Sequence, residues 1–418
     1  MTAPQRPTLL PLDEAQARLL AFANPALSLE SVPVGDADGR VLAQNVVSGL
    51  HVPPHDNSYM DGYAVRCADV VVPGGQVPVS QRIPAGSVGA PLQAGTAARI
   101  FTGAPVPEGA DAVVMQEDCE ALHTGGDGAN PTSHIQINAR PAPGQNIRRA
   151  GEDVARGDVV LTRGQRLGPA ELGMAASVGM ASLHVARRPR VALFSTGDEL
   201  VMPGTVAPQD MPPGAIYNSN RFFLRAMLRR LGCVVSDLGI VPDQRDATVE
   251  ALREAALSHD VILTSGGVSV GEEDHVKPAV QALGTLDLWQ IAIKPGKPFA
   301  HGRIGEAHFI GLPGNPVSSF VTFLILVRPF LLQLQGARDV AMPTVAARAD
   351  FAWAKADKRR EFLRARRNAQ GGLDLFPNQS SAVLTSAVWA DGLIDNPSGC
   401  TIAPGDTVRF VAFAEVMS

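Results

Sequence analysis

Three short loops rich in small residues each follow an apolar run that reads as a β-strand. Residues 195–199 read STGDE, residues 265–274 read SGGVSVGEED, and residues 313–316 read PGNP. Glycines in such loops let backbone N–H groups approach an anion, and a following helix adds its positive end. We call these three loops the shelf loops and expect them to hold an oxyanion or a phosphate, although each one alone is more often an ordinary turn.

Acidic residues would follow three different strands of the same region. They are Glu199, Asp243 and Asp274. A hard cation such as Mg²⁺ is commonly held by one or two carboxylates together with substrate phosphates. The sequence therefore predicts these three as metal ligands, while the alternative for residues 272–274 is that they complement a helix dipole.

Two lysines lie on either side of a Pro-Gly pair in IAIKPGKPFAHG, residues 291–302, which we call the lysine loop. They are Lys294 and Lys297. The prolines stiffen the loop, so less ordering is needed when a ligand binds. Lysine binds phosphate-like anions as a point charge. The pattern favours oxyanion contact, and the alternative is an exposed turn with solvated lysines.

Strands alternating with helices are predicted from residue 188 onward. Strands are expected over 191–194, 234–241, 260–265, 288–293 and 308–312, and helices over 219–232, 246–257, 274–283 and 316–334. This alternation predicts a parallel sheet covered on both faces, with ligands bound beyond the carboxyl ends of its strands. An amphipathic helix is expected over 12–23, and turn-rich β-structure over 51–147 and after 343.

Composition excludes several other classes of protein. The net charge is −5 without a basic stripe, which argues against nucleic acid as a partner. The four scattered cysteines indicate neither a zinc ribbon nor a disulfide framework and fit a reduced cytoplasm. The N-terminus lacks the order of a signal peptide. The apolar stretch 320–332 contains Arg328 and Pro329 and reads as too short to span a membrane.

Weaker patterns lie elsewhere in the chain. His51 and His55 have metal-like spacing, but two prolines between them prevent a helix from aiming both at one ion. The string GVSVG resembles a nucleophile elbow centred on Ser269, without a recognisable His or Asp partner. Asp61 and Asp153 occur in turn sequences outside the α/β segment. If they have a role, they must face the shelf loops from elsewhere, for instance across a dimer.

Seven strings in this order resemble the molybdopterin molybdenumtransferase family, which is related to the C-terminal half of gephyrin: DNSYMDGYAV, FTGAPVPEGADAVVMQED, GEDV, STGDEL, TSGGVSVGEEDHVK, IKPGKPFAHG and LPGNPVS. The resemblance covers nearly the whole chain. It implies a multidomain fold of α/β plus β type. The implied parts are an elongated mixed α/β domain (8–50 and 148–186), an inserted β domain (51–147), a doubly wound three-layer α/β domain similar to molybdopterin adenylyltransferase (187–335) and a C-terminal β-barrel (340–418).

The resemblance also implies a reaction, in which molybdenum from molybdate enters adenylylated molybdopterin and AMP is released, with Mg²⁺ or another divalent cation. It implies a cytoplasmic homodimer, with molybdopterin adenylyltransferase and molybdoenzyme apoproteins as possible partners. Catalytic positions fall on Asp61, Thr102, Asp153, Glu199, Asp243 and Asp274. Substrate-binding positions fall on Gly266, Gly267, Ser269, Lys294, Lys297, Pro313, Gly314, Asn315, Pro316, Ser318, Arg364 and Ser381, with Arg360 an alternative to Arg364.

Two other functions stay open from the sequence. The first is adenylyl transfer to molybdopterin, because relatives of the α/β domain share text like TSGGVSVG; the additional domains and IKPGKP favour metal insertion. The second is a scaffold like gephyrin, although no N-terminal fusion or linker is seen in this sequence.

Overall fold

The computed structural model of the protein describes residues 9–24, 27–122, 134–242, 244–267 and 275–417, and of Leu288 the backbone alone. Helices and paired strands are found along this whole part of the chain, in the mixture of α/β and β regions that the sequence predicts. The domain boundaries given above stay predictions.

The largest α/β unit is built on a six-stranded mixed sheet. In spatial order its strands are Val234–Val241, Arg190–Thr196, Val261–Ser265, Ala307–Leu312, Pro298–Ile304 and Thr285–Gln290. The first four are parallel to one another, and Pro298–Ile304 runs antiparallel to them. Thr285–Gln290 pairs antiparallel with Pro298–Ile304 and therefore runs in the direction of the first four. The sequence predicted a purely parallel sheet because Pro298–Ile304 was read as part of the lysine loop. In fact this strand forms a tight hairpin with the next one, through Gly305 at φ +56°.

Helices cover both faces of this sheet, as the alternating pattern predicts. Asn220–Arg230 and the helical run Pro316–Leu334 pack on one face, together with the N-terminal helix Leu12–Phe22. Arg245–Ser258 and Val276–Leu283 pack on the other. Each face buries a separate cluster of aliphatic and aromatic side chains, so the sheet is the middle of three layers.

The run Pro316–Leu334 consists of Pro316–Thr322, a wider π-helical segment Phe323–Val327, and Arg328–Leu334. The helix has the predicted bounds, but at 19 residues it is long and apolar enough to cross a membrane by length and composition, whereas the apolar stretch 320–332 alone, considered from the sequence, was too short. However, 89% of it is buried inside the protein. It is therefore a core helix of the α/β unit.

A second six-stranded sheet is formed by strands between Gly62 and Ile137, with the order Ala112–Met115, Gly62–Val65, Ala97–Ile100, Gly75–Ile83, His134–Ile137 and Cys119–Leu122. Short antiparallel pairs flank it in the chain: Asn57–Ser58 with Ile147–Arg148, Val46–Val47 with Val159–Leu161, and Leu29–Pro33 with Ser182–Ala186. Helix Pro169–Ser177 packs beside these pairs. Single 3₁₀ turns occur at Val34–Asp36, Cys67–Asp69, Gln116–Asp118 and Pro208–Asp210.

The C-terminal sheet has the order Ile293–Lys294, Arg360–Arg367, Gly392–Asn396, Thr407–Ala412 and Val345–Arg348, and Leu373–Leu375 pairs with Arg360–Arg367. Its first strand thus comes from the lysine loop of the α/β unit, which ties the two units together. Helices Thr385–Trp389 and Phe413–Val416 accompany it, and Leu200–Val201 pairs with Ile216–Tyr217 beside the shelf. The β-barrel implied by the resemblance stays a prediction.

Candidate oxyanion site

The described parts of the three shelf loops, residues 195–199, 265–267 and 313–316, meet at the carboxyl edge of the parallel strands. The backbone N–H of Gly266 donates to the carbonyl oxygen of Leu312 at 3.0 Å. A Cβ placed on Gly266 would lie 3.0 Å from the carbonyl oxygen of Thr196, and one on Gly314 would lie 4.0 Å from the Cα of Gly266. These described parts therefore lie side by side at one edge of the sheet.

The paired glycines have a conformational reason as well. Gly266 has φ +97° and Gly267 has φ +68°, which favours glycine. A Cβ on Gly267 would also lie only 2.4 Å from Cγ2 of Val276. These two glycines are thus required by the turn itself, and anion binding is an additional use of the backbone they expose.

Asn220 fastens two of the loops, and the sequence analysis did not single it out. Its Nδ2 donates to Oγ of Ser265 at 2.8 Å and to the carbonyl oxygen of Gly314 at 2.7 Å. The residue is 8% exposed and begins the helix Asn220–Arg230. The only sequence signal was an Asn-Ser-Asn string at a helix start, which also reads as a helix cap.

Several groups occupy the start of the helical run Pro316–Leu334. The hydroxyl of Ser319 donates to the carbonyl oxygen of Pro313, and the backbone N–H of Val317 donates to the carbonyl oxygen of Ser381 at 3.0 Å. The loop of the C-terminal sheet that carries Ser381 therefore reaches the helix start beside the shelf loops. Gly314 and Asn315 are exposed, Pro316 is half-buried, and Ser318 is buried.

The turn at residues 294–297, which we call the lysine turn, packs on this same helix. A Cβ on Gly296, at φ +111°, would lie 2.3 Å from Oγ1 of Thr322 and 3.5 Å from the carbonyl oxygen of Ser318. Lys297 is exposed. Its ammonium group makes no hydrogen bond or ion pair with any described residue. Lys297 thus suits the predicted contact with an anion.

Lys294 forms ion pairs with acidic side chains, which no local sequence pattern indicated. Its Nζ lies 3.0 Å from Oε1 of Glu361 and 3.3 Å from Oδ2 of Asp357. Hydrogen bonds from Arg359 hold the pKa of Asp357 below its usual range. Glu361 is fully buried and also accepts from Nε1 of Trp353 at 2.8 Å. Much of the Lys294 charge is therefore compensated within the protein.

Arg364 is buried at 1% exposure, although the resemblance implied that it contacts substrate. Its guanidinium donates to Oγ of Ser386 and to the carbonyl oxygens of Phe362 and Ser380. Burial lowers the pKa of Arg364 to about 10, so it stays charged at neutral pH. These contacts fix the loop that carries Ser381. Arg360, the alternative, pairs with Asp395 and Asp13.

The predicted residues outside the α/β unit form their own local structure. Oδ1 of Asp61 accepts from the backbone N–H of Thr102 at 2.8 Å and from its hydroxyl at 2.7 Å. These bonds lower the pKa of Asp61. Asp153 is exposed, beside the bridge between Val52 and Val154. Within the described chain, no hydrogen bond joins these three predicted residues to the shelf.

The predicted cation ligands are only partly described. Glu199 is exposed at the rim, and its Oε2 lies 2.5 Å from where a Cβ of Gly197 would be. Asp243, Asp274 and the predicted substrate residue Ser269 lie outside the described residues. Among the residues that are described, no group of three His, Cys, Asp or Glu side chains could hold a metal ion.

Three family models match the chain. They are the MoeA N-terminal region (domain I and II) over residues 10–179, a probable molybdopterin binding domain over 192–333, and the MoeA C-terminal region (domain IV) over 346–413. Together they cover each unit described above.

Similar proteins and structures agree with these models. The chain is 42% identical to molybdopterin molybdenumtransferase of Haemophilus influenzae over 80% of each chain. It is 39% identical to molybdopterin molybdenumtransferase 2 of Mycobacterium tuberculosis, over 88% of this chain and 90% of that one. A molybdopterin biosynthesis moeA protein of Pyrococcus horikoshii superposes with a TM-score of 0.84 at 27% identity, covering 97% of this chain and all of the other. The chain therefore belongs to the MoeA family of molybdopterin molybdenumtransferases.

Proposed function

We propose that this protein inserts molybdenum from molybdate into adenylylated molybdopterin, releasing AMP and forming molybdenum cofactor. Family membership supports the transfer of molybdenum to molybdopterin. The observation that carries the finer proposal is that the described parts of the shelf loops meet at the carboxyl edge of the sheet, while the lysine turn packs on the helix that begins there. Both substrates are anions, and this surface offers backbone N–H groups and lysine.

The exposed rim of the shelf would bind the phosphate groups of the pterin substrate. Gly314, Asn315 and Pro316 lie at the exposed start of a long helix, where an anion is stabilised by the dipole. Gly266 and Gly267 expose backbone beside it. Ser269 is proposed here from the resemblance alone. Pro313 and Ser318 are buried and shape the loop.

Molybdate would bind where the lysine turn meets the loop of the C-terminal sheet. Lys297 supplies positive charge that no described residue pairs with. Lys294 supplies less, because its charge is shared with Glu361 and Asp357. Ser381 reaches the same helix start through its carbonyl oxygen. Arg364 acts by positioning this loop.

A divalent cation such as Mg²⁺ would sit at the rim, with Glu199, Asp243 and Asp274 as its proposed ligands. The exposed carboxylate of Glu199 at the end of its strand fits a hard cation that is shared with substrate phosphates. When bound, the cation neutralises charge on the leaving phosphate.

Asp61, Thr102 and Asp153 would complete the site from a second copy of the chain. Their contacts support this arrangement: among the described residues, Asp61 bonds to Thr102 and Asp153 to Val52, and none of the three bonds to the shelf loops. We propose a cytoplasmic homodimer, with exchange of substrate and product with molybdopterin adenylyltransferase and molybdoenzyme apoproteins. We also propose the domain boundaries given above and a β-barrel for the C-terminal domain.

A reconstituted reaction tests the function. The protein is incubated with adenylylated molybdopterin and Mg²⁺, and AMP is measured with and without molybdate. AMP release that requires molybdate supports metal insertion. Formation of adenylylated molybdopterin from molybdopterin and ATP would instead support adenylyl transfer, and peptide binding without any AMP release would support a scaffold.

A further inference from the structure

A cavity of about 560 Å³ lies at the opposite edge of the α/β sheet from the shelf. It is lined by residues at the starts of three parallel strands, among them Arg190, Asp260 and His308, and by the end of the helix Leu12–Phe22. Small-molecule sites typically enclose about 300–1,000 Å³. None of the residues assigned to molybdenum transfer lines this cavity.

Positive charge in the cavity is only partly compensated. Arg187 makes two hydrogen bonds to the carboxylate of Asp260, at 2.6 and 2.7 Å, and so consumes that charge. Nε of Arg190 lies 3.9 Å from the same carboxylate, and the Arg190 side chain is 52% exposed. Its terminal nitrogens have no partner among the described residues. Nη2 of Arg303 lies 3.3 Å from Oε2 of Glu306, and the Glu306 side chain is fully exposed to solvent. Water therefore screens this ion pair.

The histidines beside these arginines are neutral. Nη1 of Arg303 donates to Nε2 of His308 at 2.8 Å, so that ring nitrogen must accept. Burial and the charge of Arg303 lower the pKa of His301 to about 4 and that of His308 to about 3. The net positive charge therefore belongs to the guanidinium groups, which have the fork geometry that suits carboxylate and phosphate.

Apolar groups complete the lining. The ring of Phe22 stacks on His301 at 4.5 Å between centroids, and 42% of Phe22 is still exposed. Leu257, which also lines the cavity, is 84% exposed. A flat ring bound against these side chains would remove both from water.

We propose that this cavity binds a small molecule in which a flat aromatic ring carries an oxyanion group, with the oxyanion on Arg190 and Arg303 and the ring on Phe22 and Leu257. The proposal is independent of the molybdenum reaction. Such a ligand would occupy the edge of the sheet that the reaction does not use.

Calorimetric titration of the full chain tests this site with 2-naphthoate and 1-naphthyl phosphate as probes. We expect saturable binding of at least one of them, and the stronger of the two identifies a carboxylate or a phosphate as the preferred oxyanion. The neutral 2-naphthamide and the ringless acetate should each bind at least about tenfold more weakly.

Variants locate the binding. Arg190→Gln changes an exposed side chain and should weaken binding about tenfold without affecting folding. The matched control Arg348→Gln alters an arginine of similar exposure, 48%, in the C-terminal sheet, and should bind as the wild type does. Lys297→Ala should also leave binding unchanged. The proposal is overturned if neither probe binds, if Arg190→Gln binds like wild type, or if Lys297→Ala abolishes binding.

Discussion

Nδ2 of Asn220 donates a 2.7 Å hydrogen bond to the carbonyl oxygen of Gly314, 94 positions later in the chain. The same nitrogen donates to Oγ of Ser265. One buried amide therefore sets the spacing between two loops that we propose to hold the pterin phosphates. Because leucine has a similar shape but no donor, Asn220→Leu removes both bonds while filling the space.

We expect Asn220→Leu to lower kcat/KM for molybdate-dependent AMP release by about 10–100-fold, because displaced binding groups misalign the reactants. The free energy of unfolding should fall by roughly 1–3 kcal/mol, since Ser265 and Gly314 lose a buried partner. Asn138→Leu is the control, because Asn138 is an exposed amide directly after the strand His134–Ile137 of the second six-stranded sheet. Unchanged kinetics in Asn220→Leu would show that the loop spacing does not matter for the reaction.

Substitution of Lys294 should lower the stability of the protein more than substitution of Lys297. Lys294→Met leaves the buried carboxylate of Glu361 without its cation and should lower the free energy of unfolding by roughly 1–3 kcal/mol. Lys297→Met should change it by less than about 0.5 kcal/mol, because Lys297 is exposed. Denaturant unfolding measures both, and equal effects would contradict the assigned pairing.

A double variant separates stability from activity at Lys294. Glu361→Gln removes the charge that Lys294→Met leaves unpaired, so the double variant should recover part of the lost stability. It should not recover molybdate-dependent AMP release if Lys294 contributes charge to the oxyanion site. Recovery of both together would assign Lys294 a purely structural role.

Mixing two inactive variants tests whether the site is shared between copies. Asp61→Asn and Lys297→Ala should each be inactive alone. If Asp61 acts on the shelf of the partner, each mixed dimer contains one intact site, and equal mixing should restore about a quarter of wild-type activity. Dissociation and reassociation of the mixture precede the AMP assay. Absence of any restoration, with mixed dimers verified by mass, would place Asp61 and Lys297 in the same chain's site.

The buried histidine pair should make the protein sensitive to mild acid. Because the folded-state pKa values of His301 and His308 lie below the usual 6.5, the unfolded chain binds more protons between about pH 6.5 and 4. The stability that the neutral histidine pair contributes is therefore fully present above pH 6.5 and is lost as the pH falls toward 4. Thermal unfolding across this range should show a smaller decline in His301→Phe than in the exposed-site control His184→Phe. Parallel declines would exclude the pair as the cause.

Thiol labelling checks the cysteine environment. Burial raises the pKa of Cys67 to about 11 and those of Cys119 and Cys233 to about 12. Cys400 is exposed. Since the thiolate is the reactive form, iodoacetamide should modify Cys400 first in the native protein, as read by peptide mass spectrometry. Rapid modification of Cys233 would contradict its burial.

Local sequence patterns were sufficient to predict most of the α/β unit. The helix Asn220–Arg230 and the strand Val261–Ser265 lie within two residues of the predicted bounds, because strand and helix periodicities are clear there. The strand Pro298–Ile304 was missed, since its pairing depends on a neighbour in space and two prolines precede most of it. Tertiary pairing of this kind leaves little trace in local sequence.

The glycines and lysines of the candidate site were predictable from the sequence, but the residues that hold its loops in place were not. Repeated small residues at strand ends indicated the shelf. The contact of Lys294 with Glu361 and the brace from Asn220 join segments 67 and 94 residues apart, so spacing along the chain could not show them. Burial of Arg364 was equally hidden, because an arginine in a strand usually faces solvent.

A single-turnover measurement addresses the central proposal most directly. Protein, adenylylated molybdopterin and Mg²⁺ are mixed with increasing molybdate, and both AMP and pterin-bound molybdenum are quantified in the same samples. We predict that the two products rise together in a one-to-one ratio and that Lys297→Ala reduces both. AMP release that is independent of molybdate, or that occurs without molybdenum appearing on the pterin, would contradict molybdenum insertion by this protein.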